Sequence, residues 1–266
     1  MSRKLGFIGN GNMGYAILKG IVGSGTLDGS MTAVCDPVQF ARERAQKLGS
    51  KTYTDNRQLA AECEVVLVAV KPQDAAKALA EIGEQMRGKL LISIVAGYDT
   101  ATIKKSLGYD DVRVLRVMPN TPALVGEGVF GLNAQTDALP EEKEMAESWF
   151  WSIGNVFWLE EKLFSVLTGL SGGGPAYVTM FIEALADAGV KFGLKRKDAL
   201  LISAQTVLGS AKLILDEDLH PAQLKDNVCS PGGTTIEGVQ ALEEGAFRAV
   251  VMQAIEQSTR KAENLV

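Results

Sequence analysis

The 266-residue chain contains few of the residues that usually build metal centres or nucleophilic sites. It has three cysteines, and Cys35, Cys63 and Cys229 are far apart and lack C-x-x-C spacing. This pattern argues against both a disulfide framework and a zinc site. His220 is the single histidine, so no His-based metal cluster can form and no Ser–His–Asp or Cys–His arrangement can be proposed. The sequence therefore predicts no metal site and gives little support for nucleophilic catalysis.

Long apolar runs and basic clusters are also missing. No window of about 18 uninterrupted apolar residues exists, so we expect no membrane span. The N-terminal apolar run meets glycine at once and is not typical of a secretory signal. Basic residues number 27 against 32 acidic ones, and the densest basic patch, Lys195–Lys197, is too short to predict nucleic-acid binding. We expect a cytoplasmic protein that handles small molecules and binds neither membranes nor nucleic acid.

The first part of the chain alternates β-rich runs with amphipathic helical patterns. A helix is predicted from about Asn12 to Val22 and another over Val38–Leu48. The predicted strands are Lys4–Ile8, Met31–Cys35, Glu64–Val70, Leu90–Val95 and Val112–Val117. Strands that alternate with helices of this length are typical of a parallel sheet with right-handed crossovers.

The pattern changes after about Phe157, beyond which helical stretches rich in Ala, Leu, Lys and Glu predominate and no strand is predicted. The predicted helices are Tyr177–Phe192, Lys197–Leu215, Thr235–Glu244 and Phe247–Asn264. We therefore predict an α/β Rossmann domain, doubly wound with a mainly parallel sheet, over residues 1–160. An all-helical domain for substrate binding and dimerisation is predicted over residues 161–266.

A glycine-rich turn follows the first predicted strand. Gly9, Gly11 and Gly14 form G-x-G-x-x-G between a strand and a helix. In a dinucleotide site the first glycine permits the tight turn, the second lets the backbone approach the pyrophosphate, and the third allows close helix–strand packing. The alternative is a tight strand-to-helix turn without cofactor. The context of a βαβ series favours nucleotide binding.

Asp36 ends the second predicted strand, where a carboxylate can bind ribose hydroxyls and favour NAD over NADP. Arg42 and Arg44 follow on the next helix and could reach a 2′-phosphate. Asp36 could instead be a helix N-cap, with Pro37 at the first helical position. The residues leave these alternatives open.

Two further segments follow predicted strands at the sheet edge where ligands of parallel sheets bind. Ala69–Pro72 follows one strand, and Pro72 restricts Lys71 to an extended backbone. Ala96 and Gly97 follow the next strand in the same way. Both segments are predicted to lie beside the cofactor, although Lys71 could equally be a solvated surface lysine.

The helical half contains two glycine loops, Ser171–Tyr177 and Ser230–Thr235. The first reads SGGGPAY, which allows either ligand approach or close packing of a helix. The second reads SPGGTT and precedes a helix that begins near Thr234. Successive backbone amides and a helix N-terminus would form an anion site suited to a carboxylate.

These motifs together resemble those of pyrroline-5-carboxylate reductases over essentially the whole chain. The resemblance rests on GFIGNGNMG near the N-terminus, VAVKPQ at Val68–Gln73, RVMPNTP at Arg116–Pro122, SGGGPAY, and the specific region His220–Arg248. It implies NAD(P)H-dependent reduction of L-1-pyrroline-5-carboxylate to L-proline, the last step of proline biosynthesis. It implies NADPH as the cofactor, with NADH as an alternative. It also implies a homodimer, for which a decameric ring of dimers is a further assembly.

The resemblance also assigns site residues. Backbone amides of Ser230, Gly232, Gly233 and Thr234 would hold the substrate carboxylate, and the Thr235 hydroxyl would hydrogen-bond the ring nitrogen as the catalytic group. Val228 would line the substrate pocket, and Asp218 is an acidic residue expected nearby. With the motif positions included, the predicted cofactor contacts are Ile8, Gly9, Asn10, Gly11, Asn12, Met13, Gly14, Asp36, Asn56, Ala69, Val70, Lys71, Pro72, Ala96 and Gly97.

Two other functions compete with this one. A dehydrogenase of the phosphogluconate or β-hydroxy-acid type shares the two-domain plan but relies on a lysine in the helical domain. Lys191 and Lys225 are available, and neither lies in a glycine-flanked motif of that kind. A nucleotide-binding sensor without chemistry would predict a degraded substrate loop, whereas SPGGTT is intact.

Overall fold

The computed structural model describes residues 3–265. It divides the chain into two compact units. The N-terminal unit comprises residues 3–172 together with 258–265, and the helical unit comprises Gly173–Gln257. The predicted fold class is confirmed: a mostly parallel α/β sheet precedes a segment in which no strand occurs among the described residues after Leu159.

The N-terminal unit is built on one eight-stranded sheet with strand order 3-2-1-4-5-6-7-8. Its strands are β1 (Arg3–Ile8), β2 (Thr32–Cys35), β3 (Lys51–Tyr53), β4 (Cys63–Val68), β5 (Leu90–Ser93), β6 (Arg113–Pro119), β7 (Gly128–Asn133) and β8 (Gly154–Leu159). All neighbouring strands are parallel except β6 and β7. The strand order reverses at β1, which lies between β2 and β4, and this is the switch point where such sheets bind ligands.

Helices connect these strands and cover the sheet. They are α1 (Asn12–Gly23), α2 (Gln39–Gln46), α3 (Asn56–Glu62), α4 (Pro72–Ile82), α5 (Thr100–Leu107), α6 (Pro140–Trp151) and the short α7 (Phe164–Leu167). Strand β4 shows how the core is divided. Val65 and Leu67 belong to one hydrophobic cluster, while Val66 and Val68 belong to another. Because successive side chains point to opposite faces, a strand covered on both faces needs a continuous apolar run.

The structure contains three strands that the sequence did not predict, namely β3, β7 and β8. Strand β3 has only three residues, and β7 carries two glycines, so neither shows a long β-branched run. Strand β8 continues to Leu159, slightly beyond the point at which the pattern changes. Three predicted elements end two residues earlier than expected. Strand β5 ends at Ser93 and not at Val95. Helix α2 spans Gln39–Gln46, and β4 ends at Val68, since the next residues leave the sheet toward Pro72.

The helical unit contains α8 (Gly174–Lys191), α9 (Arg196–Asp216), α10 (Pro221–Val228), α11 (Thr234–Glu244) and most of α12 (Phe247–Glu263). A Cβ atom added at Gly189 would lie 3.3 Å from the Cβ of Ala199, so small residues let α8 and α9 approach closely. Within Gly173–Gln257, all of which is described, only Ala186, Ala199 and Ser203 are buried. The helices therefore present most of their apolar side chains on the surface of the single chain.

Helix α9 is long and apolar enough to span a membrane if only its length and composition are considered. Its 18-residue window has a mean hydropathy of 1.3, and 11% of that window is buried. Three of its leucines, Leu201, Leu208 and Leu215, recur every seven residues and are 62%, 51% and 74% exposed. A seven-residue apolar spacing places side chains along one face, the pattern of helices that pack against other helices.

Candidate functional site

The glycine loop between β1 and α1 is shaped by contacts that leave no room for side chains. Gly9 has φ +88°, and a Cβ there would lie 2.6 Å from the carbonyl oxygen of Ala69. A Cβ at Gly14 would lie 2.6 Å from the carbonyl oxygen of Gly9. By contrast, a Cβ at Gly11 would meet nothing within 4 Å. The first and third glycines therefore permit close packing, whereas the second leaves open space above the loop.

That open space fits a dinucleotide pyrophosphate. Gly11 is the N-cap of α1 and no side chain caps the helix, so the first amides of α1 lack a side-chain acceptor. The N-terminal end of a helix offers N–H groups and a partial positive charge to an anion. Because Gly11 carries no Cβ, a phosphate oxygen can reach these amides without a steric clash.

The loop opens onto a cavity of about 580 Å³ at the carboxyl ends of β1, β2 and β4. The cavity brings together eight of the predicted cofactor residues: Ile8, Gly9, Gly11, Asp36, Asn56, Ala69, Val70 and Lys71. Sequence reasoning missed other lining residues: Cys35, Pro37, Val38, Thr54, Gln73, Asp74, Lys77, Ala78 and Glu81. Four of these, Asp74, Lys77, Ala78 and Glu81, follow the three- and four-residue spacing of one helical face, a signal that was present in the sequence.

The remaining predicted cofactor residues do not line this cavity. Asn12, Met13 and Gly14 belong to the first turn of α1, and Pro72 is the first residue of α4. Ala96 and Gly97 lie between β5 and α5, where Gly97 has φ +81°.

Asn10 differs from the other loop residues because it has no exposed surface. Its backbone N–H donates to Asp36 Oδ2 at 2.7 Å, and its side-chain Nδ2 donates to the carbonyl oxygen of Ala41 at 2.7 Å. Asn10 therefore lies beneath the loop and anchors it to the segment between β2 and α2.

The structure corrects one interpretation of Asp36. Helix α2 begins at Gln39 with Val38 as its N-cap, so Asp36 is not the N-cap and Pro37 is not the first helical residue. Asp36 instead holds the turn before the helix, because its Oδ1 accepts the N–H of Val38 at 2.8 Å. Its other oxygen accepts the N–H of Asn10, as described above. Asp36 is 8% exposed and lines the cavity, so a ribose contact stays a prediction.

Cys35 precedes Asp36 and borders the same cavity. Burial of the thiol, together with the negative charges of Asp36 and Asp55, raises the pKa of Cys35 to about 11. The group is therefore a neutral thiol at physiological pH and does not add a thiolate to the site.

Lys71 has the extended backbone that its position before Pro72 predicts, with φ −68° and ψ 151°. It is the N-cap of α4, and its exposed side chain borders the cavity. The surface and cofactor-side interpretations of Lys71 therefore describe the same placement.

The SGGGPAY segment begins in a π-helical turn, Thr168–Gly172. Asn120 follows β6 and donates from Nδ2 to Ser171 Oγ at 3.0 Å, while its Oδ1 accepts the N–H of Val129 at 2.8 Å. A Cβ at Gly172 would lie 3.1 Å from Met118 Cε. For Gly172, the close-packing interpretation of this glycine segment is therefore the one the contacts favour.

The SPGGTT loop lies between α10 and α11. Gly232 has φ +66°, a conformation that favours glycine, and the N–H of Gly233 donates to the carbonyl of Ser230 at 3.0 Å. Helix α11 begins at Thr234 with Gly233 as an N-cap that provides no side-chain acceptor. The amides at its start are thus available to an anion. Within the single chain, Val228, Ser230, Gly232 and Thr234 are exposed, and Thr235 is half-buried.

Asp218, the acidic residue predicted near the substrate, lies in the link between α9 and α10 with φ +50°. Positive φ is uncommon for residues other than glycine, and aspartate is among those that adopt it most readily. The substrate role of Asp218 stays a prediction.

The Rossmann sheet, the glycine loop at its switch point and the cavity beside that loop define an NAD(P)-dependent oxidoreductase. Residues 4–97 match the family described as NADP oxidoreductase, coenzyme F420-dependent. Residues 161–265 match the family described as pyrroline-5-carboxylate reductase dimerisation.

Individual pyrroline-5-carboxylate reductases match this chain over nearly its full length. The chain is 40% identical to pyrroline-5-carboxylate reductase of Arabidopsis thaliana, covering 99% of this chain and 96% of the relative. It is 39% identical to that of Escherichia coli, covering 100% and 99%. The crystal structure of the Plasmodium falciparum enzyme with NADP bound superposes with a TM-score of 0.89 at 35% identity, covering 98% and 97%. The Coxiella burnetii structure gives 0.91 at 34% identity, covering 100% and 99%. The chain belongs to the pyrroline-5-carboxylate reductase family.

Proposed function

We propose that this protein reduces L-1-pyrroline-5-carboxylate to L-proline with NADPH or NADH, the last step of proline biosynthesis. The observation that carries the proposal is identity near 40% with pyrroline-5-carboxylate reductases along 99–100% of the chain. That extent includes both the glycine loop after β1 and the SPGGTT loop before α11.

The reaction adds a hydride to the imine carbon and a proton to the ring nitrogen. When bound, the dihydronicotinamide supplies the hydride. The protein then has to orient the imine and stabilise its carboxylate. The backbone amides of Ser230, Gly232, Gly233 and Thr234 hold the carboxylate in this proposal, and the Gly233 N–H, which donates to the Ser230 carbonyl at 3.0 Å in the single chain, would exchange that bond for the carboxylate. The uncapped start of α11 supports this role, because it offers N–H groups without a competing side chain.

The Thr235 hydroxyl hydrogen-bonds the ring nitrogen and orients it for reduction. The pKa of an aliphatic hydroxyl is too high for Thr235 to act as an independent acid, so water or an already protonated iminium supplies the proton. Val228 and Asp218 complete the substrate site in this proposal. Both residues lie in the segment that matches the dimerisation family, and this position supports their assignment.

Helices of the second unit form a homodimer, consistent with the dimerisation family that this segment matches. We place the boundary of the two functional domains between residues 160 and 161, where that match begins. A decameric ring of dimers and a cytoplasmic location complete the proposal.

The test is oxidation of NADPH and NADH with L-1-pyrroline-5-carboxylate, in parallel with 3-hydroxy acids plus NADP⁺ and NAD⁺. Turnover with the imine alone is expected. Turnover with a hydroxy acid alone would assign the protein to the β-hydroxy-acid class, and cofactor binding without turnover of either would indicate a sensor.

The site assignment has its own test. Thr235→Ala should lower kcat/KM for the imine about tenfold or more, as the loss of one transition-state hydrogen bond would. Thr235→Ser keeps the hydroxyl and should retain most of the activity. Wild-type kinetics for the alanine variant would remove Thr235 from the mechanism.

A further inference from the structure

Helix α2 carries two arginines, Arg42 and Arg44, that the sequence placed within reach of a cofactor phosphate. The structure separates their contacts. Arg42 Nη1 donates to the carbonyl oxygens of Asp36 at 2.6 Å and Pro37 at 2.9 Å, in the turn before the helix. Arg44 Nη2 donates to the carbonyl oxygen of Gly11 at 2.7 Å and also to that of Asn10. Of these two arginines, Arg44 is the one that hydrogen-bonds the glycine loop.

The guanidinium of Arg44 is also fixed by an aromatic ring. Its central carbon lies 4.2 Å from the centroid of the Tyr15 ring, on the first turns of α1. A stacked guanidinium with donors committed to two carbonyls loses little further freedom when a ligand arrives. Arg44 therefore connects α2, the loop and α1 through one side chain.

The direction of two loop amides is tied to the two carbonyls that Arg44 binds, of which the Gly11 carbonyl also accepts the N–H of Tyr15 at 3.0 Å in the first turn of α1. The carbonyl of Asn10 shares a peptide plane with the N–H of Gly11, and the carbonyl of Gly11 shares one with the N–H of Asn12. In a planar trans peptide the C=O and the N–H point in opposite directions. Holding both carbonyls toward Arg44 thus aims both N–H groups away from it, on the loop whose Gly11 borders the cavity.

Asn10 adds to this arrangement from the same segment of chain. Its N–H and its side-chain amide donate to Asp36 and to Ala41, respectively. Asn10 therefore has three hydrogen-bond partners in residues 36–44, namely Asp36, Ala41 and Arg44. The loop is held by its neighbour α2 before any cofactor arrives, which lowers the ordering cost of binding.

We propose that Arg44 is a positioning residue that orients the Gly11 and Asn12 amides for the cofactor pyrophosphate. We expect it to act alike on NADH and NADPH, because its Nη2 is committed to the carbonyls of the loop. This inference rests on the proposed function only in that the cofactor is a nicotinamide dinucleotide.

The test compares Arg44→Gln with Arg42→Gln, which removes the same charge from the same helix but leaves the loop contacts in place. Dissociation constants for NADH and NADPH are measured by direct fluorescence titration without substrate, so the result does not depend on which imine the enzyme reduces. For Arg44→Gln we expect both constants to rise about tenfold, with their ratio within about twofold of wild type. For Arg42→Gln the constant for NADH should stay within about twofold.

A second measurement examines the loop in the cofactor-free protein. Backbone amide exchange of residues 9–13 should accelerate in Arg44→Gln, with kcat at saturating cofactor little changed. Arg44→Lys keeps a cationic donor and should give an intermediate rise for both cofactors; it replaces the glutamine variant if that variant does not fold. Weakening of NADPH alone would identify Arg44 as a 2′-phosphate ligand and overturn the inference. Unchanged constants for both cofactors would also overturn it.

Discussion

Replacing Gly11 with alanine should separate cofactor binding from stability. A Cβ at Gly11 meets no protein atom within 4 Å, and the residue has φ −66°, which alanine adopts without strain. Alanine is a poorer N-cap than glycine by several tenths of a kcal/mol, roughly 0.5–1. Lower entropy of the unfolded chain offsets this by about 0.4–1 kcal/mol. The two contributions nearly cancel, so Tm should change by less than about 2 °C.

Cofactor affinity should respond very differently to the same substitution. The new methyl group projects into the space that the pyrophosphate needs and removes one or two charge-assisted hydrogen bonds of roughly 1.5–3 kcal/mol each. The dissociation constant for NADPH should therefore rise at least about tenfold, as measured by fluorescence titration, with Tm from thermal unfolding as the second readout.

Gly14→Ala is the matched variant. Its Cβ would lie 2.6 Å from the backbone oxygen of Gly9, an overlap that costs about 1–3 kcal/mol, so Tm should fall as well. Wild-type NADPH affinity in folded Gly11→Ala would refute the assignment of this loop to the pyrophosphate.

Three more predictions concern charge, titration and assembly. The pKa of Cys35 is raised to about 11, so its contribution to stability is complete below about pH 8.5 and is lost as the pH rises toward 11. In Cys35→Ala, the free energy of unfolding should therefore depend less on pH over that range. Arg113 pairs with both oxygens of Glu142 at 2.7 and 2.8 Å. Burial alone would raise the pKa of Glu142, but this pairing and the Leu139 N–H hold it below its usual value. Arg113→Gln should therefore cost about 2 kcal/mol at pH 7 in urea unfolding, and the difference from wild type should shrink as the pH falls below about 4. Leu208→Asp on the leucine face of α9 should remove the dimer peak in gel filtration and lower the helical signal in circular dichroism, whereas Ser210→Asp, about 200° around the helix, should change neither.

The sequence predicted the elements that position the cofactor because their signals are local. The G-x-G-x-x-G spacing and its strand-to-helix context lie within fifteen residues, and the Gly14 contact with the Gly9 carbonyl lies inside the motif itself. The Gly9 contact with Ala69, by contrast, is long-range. The apolar run of β4 identified a strand covered on both faces. Strands β3 and β7 were missed because a three-residue strand and a glycine-containing strand are stabilised by their neighbours in the sheet rather than by their own composition.

The long-range contacts of the site could not be predicted in the same way. Arg44 lies 33 residues after Gly11, and nothing in the spacing of α2 distinguishes it from Arg42. Asp36 was recognised as an acidic residue at a strand end, yet its two acceptor bonds depend on where Asn10 and Val38 are placed in space. Such partners become visible only once the strands are assembled.

The scarcity of buried residues in Gly173–Gln257 has a thermodynamic consequence. Three fully buried residues contribute little against the conformational entropy lost by 85 ordered residues, so we expect this unit to gain much of its stability from association. Folding and dimerisation then form one equilibrium governed by mass action. Each tenfold dilution should remove about 1.4 kcal/mol of apparent stability per dimer, so that the melting temperature measures protomer concentration as well as sequence.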